Sequence, residues 1–302
     1  MKDVHAMAPA RGRLTLRSVG VSGIHKPLSV QRKDGVRTLA ATFDVAVDLP
    51  SGRKGSDLSR NAEVLAEIVD QTVERPVSSL ETACSTIARE LLARHAYASE
   101  ATVSASAEYF LRKGISEAKR SFEDYLLLAE ARAHRTPDGG VELQRAIGAE
   151  AVGMTACPCA METCREALVA EYPALADPSL ASLPMISHNQ RNRTRLLLEL
   201  AGDEEVEVDE LIGTIEAAQS SPTYAILKRG DEGRVVLDAH RHPKFVEDVL
   251  RDLLASLPGT FPQLPDAVVA RASTQSEESI HKYDVEASHR ISFGELRRTS
   301  GP

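Results

Sequence analysis

Three of the chain's four cysteines, Cys157, Cys159 and Cys164, fall within eight residues. The first two flank Pro158 in Met154-Thr155-Ala156-Cys157-Pro158-Cys159-Ala160. Pro158 disfavours helical geometry at Cys157. A Cys-x-Cys pair can put one thiolate on a metal while the other faces elsewhere; buried structural cysteines are the competing explanation. The run Ser187-His188-Asn189-Gln190-Arg191 adds an imidazole, two amides and a guanidinium. On a strand, alternation would place His188 and Gln190 on one face and Asn189 and Arg191 on the other. Glu232 closes Lys228-Arg229-Gly230-Asp231-Glu232, a stretch that also reads as a charged turn. Glu247 stands beside the core-facing pair Phe245 and Val246. If buried, it needs a partner with N–H donors; otherwise it belongs to a solvated helix face. His281 lies in the polar stretch Ser279–Asp284. Cys157, His188, Glu232 and His281 form an S, N, O, N ligand set suited to Fe(II), with Zn or Mn as substitutes. A metal so held can lower the pKa of a bound water toward neutrality. The four are spread over 125 residues, so spacing does not establish that they meet.

Composition narrows the classes. The chain has 302 residues, 42% of them hydrophobic, which supports a sizeable core and excludes wholesale disorder. Its net charge of −8 argues against a general nucleic-acid binder, and 4% aromatics without Trp argue against a base-stacking platform. No stretch approaches the ~18 apolar residues of a membrane span, and residues 1–17 lack the apolar core of a secretory signal. Clustered cysteines are a poor disulfide framework, so a reducing cytoplasm is expected. The hydrolase signatures His-Glu-x-x-His and Gly-x-Ser-x-Gly and the phosphate loop are absent.

The elements that must carry these residues are read from periodicity. Residues 1–11 read as a loose tail. Residues 38–50 alternate Ala41, Phe43, Val45, Val47 and Leu49, a strand signal. Residues 59–74 and 79–95 have helical spacing, with Ser59 as the expected cap of the first. Residues 101–112 and 121–135 read as strands, the second with Phe122, Asp124, Leu126, Leu128 and Glu130 along one face. Pro137-Asp138-Gly139-Gly140 is a strong turn. Beyond it come a strand (141–155), an insertion (157–184) with a short helix at 163–172, a strand (185–200), helices at 208–218 and 243–257, and strands at 267–274 and 285–293. The order is ββααββ twice. An α+β fold is therefore expected, with antiparallel sheets each covered on one face by a helix pair, in two modules, 1–137 and 138–302.

The motifs, taken in order, resemble the type IB GTP cyclohydrolase family. They are VGVSGIHKPLSV (19–30), VDLP and KGSDLSRN (47–61), MTACPCA (154–160), SHNQR (187–191), SSPTYAILKRGDE (220–232), HPKFVEDVLRD (242–252) and SIHKYD (279–284). KGSDLSRN and the long insertion are most similar to the archaeal-type members of methanopterin and folate biosynthesis. The resemblance implies tandem tunnelling-fold (T-fold) modules, assembly as a homodimer or homotetramer with sites between subunits, and opening of the GTP imidazole ring with release of formate. In archaeal-type members it implies Fe(II) and 7,8-dihydroneopterin 2′,3′-cyclic phosphate; in bacterial members, dihydroneopterin triphosphate. Residue by residue it implies Cys157 as catalytic thiol and metal ligand, His188, Glu232 and His281 as further ligands, Glu247 as the guanine anchor, and Gln190 and Arg191 as substrate contacts. Tyr283 stands where family members often carry a second His. A non-catalytic purine-binding protein is the alternative from a different class. No nucleic-acid or membrane partner is expected.

Overall fold

A computed structural model describes residues 3–9, 11–32, 35–116 and 120–299. The fold is mixed: nine strands in one sheet and, among the described residues, seven α-helices. The first elements are β1 (Leu16–Arg32), β2 (Gly35–Leu49), α1 (Leu58–Glu74), α2 (Leu80–Arg94), β3 (Glu100–Lys113) and β4 (Ser121–Arg135). They are followed by β5 (Val141–Ala156), α3 (Pro158–Glu171), β6 (Asn189–Leu200), α4 (Val208–Ala218), the two-residue β7 (Ser221–Pro222), α5 (Arg229–Arg241), α6 (Val246–Thr260), β8 (Val269–Ser276), β9 (Val285–Ser292) and α7 (Phe293–Thr299). The strands hydrogen-bond in the order β1-β2-β3-β4-β5-β6-β8-β9, with β7 on β5. The pairs β1–β2, β2–β3, β5–β7 and β8–β9 are antiparallel.

The chain divides into two compact units. One contains Met1–Tyr109, Leu126–Ile147 and Glu199–Glu204; the other contains Phe110–Tyr125, Gly148–Leu198 and Glu205–Pro302. In the first, β2 turns Leu39, Ala41, Phe43, Val45, Val47 and Leu49 inward, as its alternation predicts. Register sets Phe43 opposite Ala105, a large side chain against a small one, and Val45 opposite Val103. Val64, Leu65, Ile68 and Val69 of α1 and Ala83, Ile87, Leu91 and Leu92 of α2 complete it. Burying each larger member of this set contributes about 1.5–3 kcal/mol.

Three expectations are corrected. The N-cap of α1 is Asp57, not Ser59, and it makes no capping bond. Its carboxylate is instead held by Arg53, Arg60 and His5. On β4 the buried face is Tyr125, Leu127, Ala129, Ala131 and Ala133, while Phe122 is 69% exposed. Three consecutive leucines leave the period ambiguous there, and the alanines supply the small surface. The insertion's helix begins at Pro158 rather than at 163. Of the tail, residues 1, 2 and 10 lie outside the described residues; Lys54 N donates to the carbonyls of His5 and Met7, so this stretch is anchored. Among the described residues no helix is long and apolar enough to cross a membrane.

Candidate functional site

The motifs around Cys157, His188 and Lys244 meet through specific backbone devices within the second unit. Cys157 follows β5 directly and caps α3: its backbone is extended, its Sγ accepts from Ala160 N at 3.4 Å, and Pro158 takes the first helical position. Proline there gives up an N–H that has no helical partner anyway. Cys157 N donates to His188 O at 3.1 Å, and Ser187 Oγ donates to Cys157 O at 2.6 Å. These two bonds clamp MTACPCA to SHNQR. Buried His240 of α5 lies beside them, with Nε2 3.3 Å from Ser187 O. Lys244 N donates to Ala156 O at 3.0 Å, so the chain entering α6 is tied to the residue before Cys157.

The expected ligands occupy two kinds of position. His188 is nearly enclosed, its side chain 12% exposed, and its Nδ1 lies 2.9 Å from Gln190 Oε1. His188 and Gln190 thus share a face, as strand alternation requires. Cys157 is half-buried. Glu232 sits exposed in the first turn of α5, a helix where the sequence reads as a charged turn. His281 is exposed and stacks on Tyr283, ring centroids 5.0 Å apart. Among the described residues, the only three or more His, Cys, Asp or Glu ligand atoms within 4.8 Å of one another are those of Asp3, His5 and Asp57. In the isolated chain, then, Cys157 and His188 are backbone neighbours, while Glu232 and His281 do not close with them into a ligand shell. A thiol and an imidazole with Nδ1 already engaged are soft and borderline donors, which fits Fe(II) or Zn.

Glu247 is exposed in the first turn of α6, not buried. Asp248 takes the capping role, accepting from Phe245 N at 3.1 Å. Among the described residues Glu247 has no hydrogen-bond or ion-pair partner, and neither has the guanidinium of Arg191. Gln190 differs: Nε2 donates to Thr155 Oγ1 at 3.1 Å and to Glu278 Oε1 at 3.2 Å. In the same unit, burial, with the nearby Glu216 charge adding to it, pushes the Tyr224 phenol up, so this residue of the SSPTY motif stays a proton donor at neutral pH.

Sequence reasoning missed the polar layer beneath these residues. Asn192 and Thr194 of β6, Thr155 of β5, Gln219 after α4, and Thr274 and Ser276 of β8 are all buried. Asn192 Nδ2 donates to Gln219 Oε1 at 2.8 Å and to Thr274 Oγ1 at 2.7 Å; Ser276 Oγ donates to Asn192 Oδ1 at 2.9 Å. A Cβ on Gly153 would lie 2.3 Å from Gln219 Cγ, so only glycine leaves room for that amide. The available signal was the polar alternation Gln190, Asn192, Thr194 on the face of β6 opposite its arginines.

Residues 1–287 match the family model described as type I GTP cyclohydrolase folE2. The protein named GTP cyclohydrolase MptA from Methanococcoides burtonii is 38% identical over 303 residues, covering 98% of this chain and 95% of that protein. Its namesake from Methanothermobacter thermautotrophicus is 38% identical over 290 residues, covering 93% and 91%. Among solved structures, the uricase from Arthrobacter globiformis superposes with a TM-score of 0.55 at 8% identity, covering 91% of this chain and 93% of that one. The uricase from Bacillus fastidious gives 0.51 at 11% identity, covering 94% and 96%. At such identities these two likenesses concern the fold alone.

Proposed function

The chain belongs to the type I GTP cyclohydrolase folE2 family, and from that premise we propose how its residues divide the work. The protein is a GTP cyclohydrolase: it hydrolyses the imidazole ring of GTP. The product assigned here is 7,8-dihydroneopterin 2′,3′-cyclic phosphate, for methanopterin-type pterin synthesis. Support comes from relatives of the MptA type, 36–39% identical over nearly the whole chain. They disfavour the bacterial reading with a triphosphate product.

The observation that carries the site is the Cys157 N to His188 O hydrogen bond, which holds the thiol and the imidazole on adjoining chain segments. Cys157 and His188 are the primary metal ligands, and Glu232 and His281 complete the set by closing toward them. These residues would hold Fe(II), with Zn or Mn as substitutes, and a metal bound there would supply Lewis-acid activation of a water. Glu247 anchors the guanine, accepting from N1–H and the 2-amino group as a bidentate pair. Its lack of a partner within the chain leaves both oxygens free for that task. Arg191 is assigned to substrate contact, whereas Gln190 already uses both ends of its amide.

Residues 1–137 and 138–302 are assigned as tandem T-fold modules, on the repeated order of two strands, helices and two strands. β1 and β9 stand at the two ends of the hydrogen-bonded order, and such edges call for pairing or cover. On these edges we assign assembly as a homodimer or homotetramer, and on the four free cysteines a cytoplasmic location; a fully active single-chain mass by light scattering would exclude the assembly.

The anchor assignment is tested by Glu247→Gln. The amide keeps the size but loses the charge and one acceptor, and a hydrogen bond to a charged group is worth ~1.5–3 kcal/mol. GTP affinity should fall by roughly tenfold or more, at ~1.4 kcal/mol per decade, with metal content unchanged. Equilibrium GTP binding and metal analysis read both quantities. Loss of metal with GTP affinity intact overturns the assignment.

A further inference from the structure

Gln190 has an amide whose orientation is chemically determined. Glu278 is 11% exposed in its side chain, and as a carboxylate it only accepts hydrogen bonds. The group 3.2 Å from its Oε1 must therefore be the N–H2 end of Gln190. The reversed amide would set two acceptor oxygens against each other. The second hydrogen of that N–H2 goes to Thr155 Oγ1 at 3.1 Å. Thr155, having accepted, turns its own hydroxyl to Ser276 Oγ at 3.2 Å, and Ser276 donates onward to Asn192 Oδ1 at 2.9 Å. Every link in this buried chain has one consistent direction, and all of it leaves Gln190 Oε1 facing His188.

At the near end, Gln190 Oε1 lies 2.9 Å from His188 Nδ1. An amide oxygen only accepts, so Nδ1 carries the hydrogen. The Glu278 charge, 3.7 Å from the same nitrogen, favours that arrangement without bonding to it. A free imidazole prefers its hydrogen on Nε2, so the surroundings invert the intrinsic preference. Nε2 is left as the electron-pair donor. Partners of this kind fix the tautomer and orientation of ligand histidines, and losing them typically costs 10–100-fold in metal affinity.

We propose that Gln190 and Glu278 are positioning residues that hold His188 as its Nδ1–H tautomer with Nε2 presented for coordination. This rests on His188 being a metal ligand, but the tautomer is a property of the metal-free chain. It can be read without metal or turnover.

The experiment uses the full, metal-free chain labelled with 15N-histidine, observed through two-bond 1H–15N couplings above the imidazole titration range. His188, one of nine histidines, is identified by the signal that disappears in His188→Asn. The expected result is an Nδ1–H signature in the unsubstituted chain, shifting toward Nε2–H in Gln190→Leu and in Glu278→Ala. Zn(II) affinity, from competition with a chelator, should drop about 10- to 100-fold in both variants. An Nε2–H signature in the unsubstituted chain overturns the proposal even if a variant fails to fold. So does a tautomer that neither variant changes. If His188→Asn binds Zn(II) as tightly as the unsubstituted chain, the ligand assignment fails separately, and the tautomer result stands on its own.

Discussion

Cys157→Ser should lower GTP turnover at least ~100-fold, equivalent to about 2.7 kcal/mol in the barrier, while GTP binding stays within a few-fold. A serine hydroxyl is not ionised near neutrality and is a hard, weak donor where a thiolate is soft and strong. The position also supplies its own folding control. Cys157 is the N-cap of α3, and serine is among the best capping residues. The variant should therefore keep its local structure and lose only the sulfur chemistry. Anaerobic turnover, GTP binding and metal content, measured on one preparation, decide the matter. Oxygen must be excluded because thiol oxidation would imitate the substitution. Near-normal turnover with Ser at 157 would remove the thiol from the mechanism.

Asn192→Leu should be the most damaging substitution for stability in the second unit. Asn192 is fully buried and serves Gln219, Thr274 and Ser276 at once. Leucine matches its volume roughly but offers no polar atom. Thr274 keeps a bond from Thr194 and Ser276 Oγ keeps the one from Thr155, but Gln219 Oε1 loses its donor and the Ser276 O–H loses its acceptor. Each buried group left unsatisfied costs ~1–3 kcal/mol, so about 3 kcal/mol of stability should be lost. Urea unfolding monitored by circular dichroism measures it. A loss below ~1 kcal/mol would mean that the layer re-pairs without its hub.

How much of this was legible depended on whether a residue's role was local. The inward face of β2 could be read because one face is uniformly apolar. The face of β4 could not, since Leu126, Leu127 and Leu128 suit either register. α5 escaped because only Val235, Ala239 and His240 of its residues are buried, and its N-cap is Lys228, which announces no helix start. At the site, Cys157, His188 and Glu247 lie in compact motifs with a chemical meaning of their own. Glu278 does not. It meets Gln190 across 88 positions of sequence, and only the pairing of β6 with β8 brings them together. The exposure of Glu232 and His281 was equally invisible, because a ligand-type side chain looks the same whether or not its backbone is already placed.

The pairing registers also differ in how much chain each closure must span. In the β1–β2 hairpin, Arg32 pairs with Gly35 and Leu16 with Leu49, so contacts can zip outward from near neighbours. β8 and β9 do the same, from Ser276 opposite Val285 to Val269 opposite Ser292. Closing a flexible loop costs entropy that grows with the logarithm of its length, and pairing between distant segments is slow for that reason. Met154 meets Ser221 only after an intervening stretch holding α3, β6 and α4 has been laid down. That closure seats Gln219 over Gly153, and Thr274 and Ser276 join the layer only with β8. The two hairpins are local closures, which loop entropy favours, whereas the polar layer beside His188 needs pairings between distant segments. Completion of that layer should therefore trail formation of the hairpins.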